Sequence, residues 1–172
     1  MRKKHNGKFL TTPTRKAVKG MQASLRRTLN ALCGEDTWTV IRRLNLIIRG
    51  WCNYHRHACS SRIFKVIDSW LFREIKRWLH RRHPNKGRRW IMKRYYRNHD
   101  GIRWSFHAVR PGENGRKEYV DLLIAGRTRI VRHVKIQAAA NPYDPGWYVY
   151  FAERRKRRQV QFRNSRFVEE FG

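Results

Sequence analysis

Apolar residues recur at three- and four-residue spacing along three successive stretches of the chain, and each stretch predicts an amphipathic helix. In the first, Val18, Met21, Leu25, Leu29 and Leu32 follow Thr12-Pro13, which reads as an N-cap with proline at the first helical position, and Gly34 stops the pattern. In the second, Thr37 is placed to cap. Ile41, Leu44, Ile48 and Trp51 then form the stripe, extended by Tyr54 or His55, with Arg42, Arg43 and Arg49 on the solvated side and Gly50 as a weak point. Ser60-Ser61 opens the third, whose Phe64, Ile67, Leu71, Ile75, Trp78 and Arg82 share one face up to a stop near His83-Pro84. Three apolar stripes joined by short loops are satisfied most simply by a helical bundle.

Beyond the bundle the period changes. A short basic helix is predicted over Lys86 to Tyr96, and Asp100-Gly101 marks a turn. Ile102, Trp104 and Phe106 then alternate with Arg103, Ser105 and His107 as in a half-buried strand, and Tyr119 to Ile124 and Arg129 to Ile136 are further strand candidates. Pro111 to Gly115 is a turn or loop, and Asp144-Pro145 caps a last helix through Trp147, Tyr150 and Phe151 into Arg154 to Arg158. The expected fold is mainly α with a small α+β C-terminal part. The organisation is a basic arm over 1–11, a helical domain over 12–97, and an α+β region over 98–172 with a basic helix and tail.

Charge then narrows the function. The 172 residues carry 41 Lys and Arg against 12 Asp and Glu, a formal net charge of +29 that a compact chain tolerates best when a polyanion neutralises it. Seven Trp, seven Tyr and eight Phe argue for a folded core instead of a disordered basic tail. No run approaches the roughly 18 to 20 apolar residues that cross a bilayer, so no membrane partner is expected. Three cysteines without a CxxC pair fit reduced thiols, and the expected location is a bacterial cytoplasm, with an organelle as the alternative because the first residues are basic and nearly free of acid.

Between Arg73 and Arg97 stand eleven Lys or Arg and one acid, Glu74, interleaved with Trp78, Trp90, Tyr95 and Tyr96. Cations of this kind neutralise phosphates while aromatic faces stack on unpaired bases, whereas an ordinary solvated face mixes both signs. Trp78 lies on the apolar stripe and reads as core. Arg154, Arg155, Lys156, Arg157 and Arg158, with Arg163 to Arg166, form a second basic cluster. Cys52, His55 and Cys59 would share one helix face, but a structural zinc site needs four ligands, so they read as packing residues; no metal and no cofactor is expected. The acids are scattered and include no Asp-Asp pair, which argues against two-metal polymerase or nuclease chemistry. No catalytic residue is assigned.

Leu46-Ile-Ile-Arg-Gly-Trp-Cys-Asn-Tyr-His-Arg-His57 resembles a segment of group II intron reverse transcriptase/maturases. Three more segments follow in that family's order: Arg81-Arg-His-Pro-Asn-Lys86 with Arg89-Trp90 and Arg94-Tyr95, then Arg132-His-Val-Lys-Ile136, then Ala140 to Trp147 with Tyr150-Phe151. Phe9-Leu10 to Thr14 is similar to the entry of the family's thumb. The resemblance implies a thumb-like three-helix maturase-specific domain that grips intron RNA and promotes splicing, followed by part of a region that in relatives contacts DNA. The family's polymerase carboxylates and its HNH nuclease find no match here, so reverse transcription and DNA cleavage are not carried over. Cys52 and Leu46 stand where the family has Ala and Pro.

The expected function is therefore noncatalytic binding of structured RNA, namely group II intron RNA, with a separate reverse transcriptase chain and target DNA as further candidate partners. Alternatives are a noncatalytic subunit of a split reverse transcriptase and an inactive remnant of an intron reading frame. The candidate RNA-binding residues are Arg49, Arg56, Arg77, Arg81, Arg82, Lys86, Arg88, Arg89, Trp90, Lys93, Arg94, Tyr95, Arg132, His133 and Lys135.

Overall fold

The computed structural model describes residues 2–5, 8–112, 115–131, 136–157 and 159. Two compact units divide the chain, Met1–Ile130 and Val131–Gly172. The first therefore runs past the position where the sequence pattern turns from helical to alternating. It opens with an antiparallel hairpin, β1 (Arg2–His5) and β2 (Lys8–Thr11), over the residues expected as a basic arm. Three helices follow, α1 (Arg15–Ala31), α2 (Thr37–His55) and α3 (Ser61–Arg82), and then the short α4 (Arg88–Tyr95). A three-stranded antiparallel sheet closes the unit, with β3 (Tyr96–His99), β4 (Ile102–Pro111) and β5 (Lys117–Asp121) in sequence order. The molecule is mainly α with a small α+β part, as the periodicity predicts.

Each predicted stripe faces one core. Met21, Leu25 and Leu29 of α1, Val40, Ile41, Leu44, Ile48 and Cys52 of α2, and Phe64, Ile67, Leu71, Ile75, Trp78 and Leu79 of α3 are buried together with Ile91, Tyr96, Phe106 and Ala108. Full burial of a large aliphatic side chain contributes about 1.5–3 kcal/mol, so this cluster is what resists the repulsion among the cations. Tyr54 does not extend the α2 stripe, because it is 79% exposed. The stripe turns through Cys52 instead, and burial pushes the pKa of that thiol up to about 11.

The helix starts differ by a residue or two from the sequence expectation. α1 is capped by Thr14, whose side-chain oxygen accepts from the Ala17 N–H at 3.1 Å, while Pro13 is buried just outside the helix instead of occupying its first turn. α2 is capped by Asp36, whose carboxylate accepts from the Thr39 N–H at 3.2 Å; Thr37 is already helical. The Asp carboxylate also complements the positive end of the helix dipole, which Thr cannot do. Ser60 precedes α3 without capping it, and its hydroxyl donates back to the His55 carbonyl at 2.8 Å.

The strands depart further. β4 carries a bulge opposite Asn98, between the pairs Arg97–Ser105 and His99–Ile102, and Trp104 sits in the left-handed region at φ 68°. The alternation is thereby shifted: Ser105 and Phe106 are buried and Trp104 is 45% exposed, opposite to its expected inward position. β5 stops at Asp121 instead of running to Ile124 because two polar side chains from the helices take over the backbone. Asn45 of α2 donates to the Asp121 carbonyl at 2.9 Å and accepts from the Leu123 N–H at 2.8 Å. Asp68 of α3 accepts from the N–H groups of Ala125 and Gly126 at 2.8 and 2.7 Å, which starts a 3-10 turn over Ala125–Arg127. A Cβ on Gly126 would lie 2.9 Å from Asp68 Oδ2 and would displace the carboxylate that holds this turn. The strand expected over Arg129 to Ile136 is not formed at 129–131 or 136; residues 132–135 lie outside the described residues, as do Glu113 and Asn114 of the expected turn.

In the second unit, Asn141 and Asp144 shape the Asn-Pro-Tyr-Asp-Pro segment. Asn141 Oδ1 accepts from the Tyr143 N–H at 3.0 Å and Asp144 Oδ1 from the Gly146 N–H at 2.9 Å, which leads through a 3-10 turn (Pro145–Trp147) into helical backbone over 148–157. Trp147, Tyr150 and Phe151 contact in sequence, with ring centroids 5.6 and 5.1 Å apart.

The two polar staples generate a prediction. Asn45→Ala and Asp68→Asn each leave a part-buried backbone N–H without its acceptor, and each is expected to lower the unfolding free energy by about 1–3 kcal/mol in urea titrations. Wild-type stability in both variants would show that the 121–127 segment is not held by these side chains.

Candidate nucleic-acid interface

The α3–α4 corner gathers the predicted cations, and the structure sorts them by what they already hold. Glu74, the one acid between Arg73 and Arg97, is buried at the contact of α1 with α3. It accepts from Arg26 of α1 at 2.9 Å and from Arg77 at 2.6 Å. The hydrogen bond from Arg26 holds its carboxyl below the usual range against the opposing effect of burial, with the charges of Arg26, Arg77 and Arg81 adding to the depression. A depressed carboxyl stabilises the fold above its unfolded-state pKa and loses that contribution as pH falls through the folded value, so this clamp fails only in acid.

Arg81 and Arg82 also serve the fold. Arg81 donates to Asn30 Oδ1 at 3.2 Å, and Arg82 donates to the Cys33 carbonyl at 3.4 Å and to the Glu35 carbonyl while lying 5.2 Å from the Trp78 ring. These bonds fasten the end of α3 to the last turn of α1 and to the loop that follows it. Arg56 is 8% exposed at the end of α2 and donates to Asn53. Arg49 is exposed on the outer side of α2, away from the corner in sequence. A guanidinium has five donors, so Arg77, Arg81 and Arg82 keep outward N–H groups, but they begin with structural partners.

α4 is different. Arg88, Arg89, Lys93 and Arg94 are exposed, and none of the four has a hydrogen-bond or ion-pair partner among the described residues. Only Ile91 of this helix is buried. Gly87 caps it without a side-chain bond, and no acid stands in its first turn. Two arginines at the positive end of a helix whose first N–H groups lack a side-chain acceptor oppose the helix dipole. An anion placed there relieves that opposition and supplies the acceptor.

Beside these cations Trp90 and Tyr95, both candidates from the sequence, form an aromatic cluster whose hub, His83, the sequence pattern did not single out. The His83 Nε2 and the Tyr95 hydroxyl are 2.6 Å apart, the two rings stack at 5.5 Å, and Trp90 meets His83 edge-on at 5.1 Å. Trp90 remains 40% exposed and Lys86 approaches its ring at 5.6 Å. Burial, then the charges of Arg82, Lys86 and Arg94, push the His83 pKa below its ordinary value. The signal available in the sequence was positional: His83 ends α3, and Trp90 and Tyr95 fall on the next helix. Tyr95 also touches Phe106 at 6.3 Å, which ties the cluster to the sheet.

In the second unit, Arg155 and Lys156 are exposed, Arg154 is half-buried, and Arg157 pairs with Glu153 at 3.4 Å. Arg132, His133, Lys135, Arg158, Arg163 and Arg166 lie outside the described residues. Among the described residues no cluster of His, Cys, Asp and Glu could hold a metal ion, and no helix is long and apolar enough to cross a membrane.

Structurally, then, the first unit is a helical bundle that presents unpaired cations around an aromatic cluster at one corner. Residues 18–96, which run from α1 to the start of β3, match the family model described as group II intron, maturase-specific domain, so this part of the chain is similar to a domain of group II intron maturases. No curated protein matches the chain.

The depressed His83 is a reporter for the charge at the corner. With Lys86 and Arg94 changed to Gln, its pKa is expected to rise toward the ordinary histidine value, as followed by NMR titration of the ring protons. An unchanged midpoint would show that these cations do not face it. Because a histidine with a lowered pKa favours the fold in its neutral form, the contribution of His83 to stability is complete above its unfolded-state pKa and declines as pH falls from there toward the folded value.

Proposed function

We propose that this chain is a noncatalytic RNA-binding protein whose maturase-like first unit grips group II intron RNA and helps it reach its splicing-competent fold. The observation that carries the reading is the set of four unpaired cations of α4, the helix that also supplies Trp90 and Tyr95 to the His83 cluster, on a segment similar to a maturase-specific domain. Arg88, Arg89, Lys93 and Arg94 position phosphates. Trp90 offers an exposed ring to an unpaired base, and Tyr95 is fixed behind it by His83. Arg77, Arg81 and Arg82 add outward N–H groups to the same surface. In the second unit the exposed Arg155 and Lys156 offer charge to a polyanion of either kind, RNA or DNA. The reading places the protein where an intron is transcribed, in a bacterial cytoplasm or an organelle.

A second reading has one observation in its favour. Leu46 and Tyr54 are 63% and 79% exposed and stand with Gly50 at i, i+4 and i+8 on α2. An apolar strip of this kind suits a protein partner, and a separately encoded reverse transcriptase chain would make this protein a noncatalytic subunit. Copurification that is lost in Leu46→Glu would favour it.

The deciding test is binding to a folded group II intron RNA and to an unrelated RNA of equal length, across a salt series, with and without Arg88→Ala and Arg89→Ala. Intron-selective binding is expected, with the double variant weakened and the log K against log salt slope reduced by roughly one unit per lost phosphate contact. Equal, purely salt-driven binding to both RNAs would reject the maturase reading.

A further inference from the structure

The β3–β4 hairpin contains a tryptophan that stands outside the hydrophobic core. Trp104 is 45% exposed, yet its backbone is held at φ 68°, a conformation that glycine adopts freely and a bulky side chain does not. Three contacts hold it there. Asp100 and Gly101, at φ 50° and 68°, make the two-residue turn. Arg127 fixes that turn by donating to both the carboxylate and the carbonyl of Asp100. The Trp104 N–H faces the Asn98 side-chain oxygen at 3.4 Å. A glycine at 104 would satisfy the same bulge without strain, and Trp104 stands outside the core cluster, so core packing does not account for the indole.

Charge selects the occupant. The two acids next to the bulge are already paired, Asp100 with Arg127 and Asp121 with Arg97 and the Ser105 hydroxyl, at 3.1 Å for the last. Arg103 is exposed and its guanidinium lies 5.6 Å from the Trp104 ring. A flat aromatic face beside an unpaired guanidinium matches a nucleobase and its phosphate, and it suits neither a basic nor a purely apolar peptide.

We propose that Trp104 is a base-stacking residue that takes an unpaired nucleotide of bound RNA, at a site separate in sequence from α4. The inference rests on the RNA-binding reading above only in taking RNA as the polyanion. Stacking on an exposed aromatic is tolerant of sequence, so this contact adds grip on single-stranded segments while the cations of α4 follow the phosphates.

The test uses the full chain and a short single-stranded RNA carrying 5-iodouridine. Ultraviolet crosslinking is expected to label the peptide containing Trp104. Trp104→Gly is expected to weaken binding of this RNA roughly ten-fold, while Trp104→Phe stays close to wild type. The denaturation midpoint of Trp104→Gly should be equal to or above that of wild type, since strain is removed. Wild-type affinity in Trp104→Gly, or a clear fall in its midpoint, overturns the proposal and makes Trp104 a packing residue. Tighter Trp104-dependent binding to DNA of the same sequence overturns RNA as the occupant. Loss of intron selectivity in the Arg88 and Arg89 variant with no effect at Trp104 leaves the maturase reading standing and removes this one. Trp104-dependent binding without any preference for intron RNA does the reverse.

Discussion

Repulsion among 41 basic side chains is the constraint to which the rest of the structure answers. The three-helix core opposes it with apolar burial, and the acids oppose it locally. Glu74 joins Arg26 to Arg77, Asp100 takes Arg127, Glu118 takes Arg110, and Asp121 takes Arg97. Asp36 and Asp144 cap helical segments, and Asp68 holds a backbone turn. Each of these acids stands where one element is fastened to another or a cap is made, and no acid lies on α4. The unpaired positive charge of α4 is thus a consequence of how the acids are distributed, and it persists because nothing in the described residues competes with an incoming phosphate.

Much of the bundle was legible from periodicity, because burial on one helix face is a local property of the sequence. The stripes through Leu25, Leu44 and Leu71 read correctly for that reason. What could not be read were decisions made by distant residues. Asn45 and Asp68 end β5 and start the 3-10 turn from 76 and 57 residues away. The outward turn of Trp104 follows from a bulge fixed by Asp100, Arg127 and Asn98, whereas simple alternation places the indole inside. Cap choice failed more narrowly: Thr12 and Thr14, or Asp36 and Thr37, are all competent caps, and residue type alone does not choose between neighbours one or two positions apart.

The same division runs through the candidate interface. A run of cations is visible in any listing of the chain, but which of them are free is a tertiary property. Arg81 and Arg82 bond to Asn30, Cys33 and Glu35, about fifty residues away, and Arg56 is buried at a helix end. Arg88, Arg89, Lys93 and Arg94 look no different in sequence, yet they keep their full hydrogen-bonding capacity for a ligand. His83 was invisible for the opposite reason. A single histidine carries no pattern until Tyr95 and Trp90 fold against it.

α4 links these observations to stability. An eight-residue helix with two arginines in its first turn and one buried side chain would not persist alone in water, since helix nucleation is unfavourable and the dipole opposes those charges. It is held by Ile91 in the core, by the Tyr95–His83 contact, and by the strand that follows it. A polyanion that binds the assembled corner and not the unfolded chain adds its binding free energy to that small set of contacts. Occupation of the interface and order in α4 are therefore coupled, and the charges that oppose the helix in the free protein are the ones that fasten it when phosphate is present.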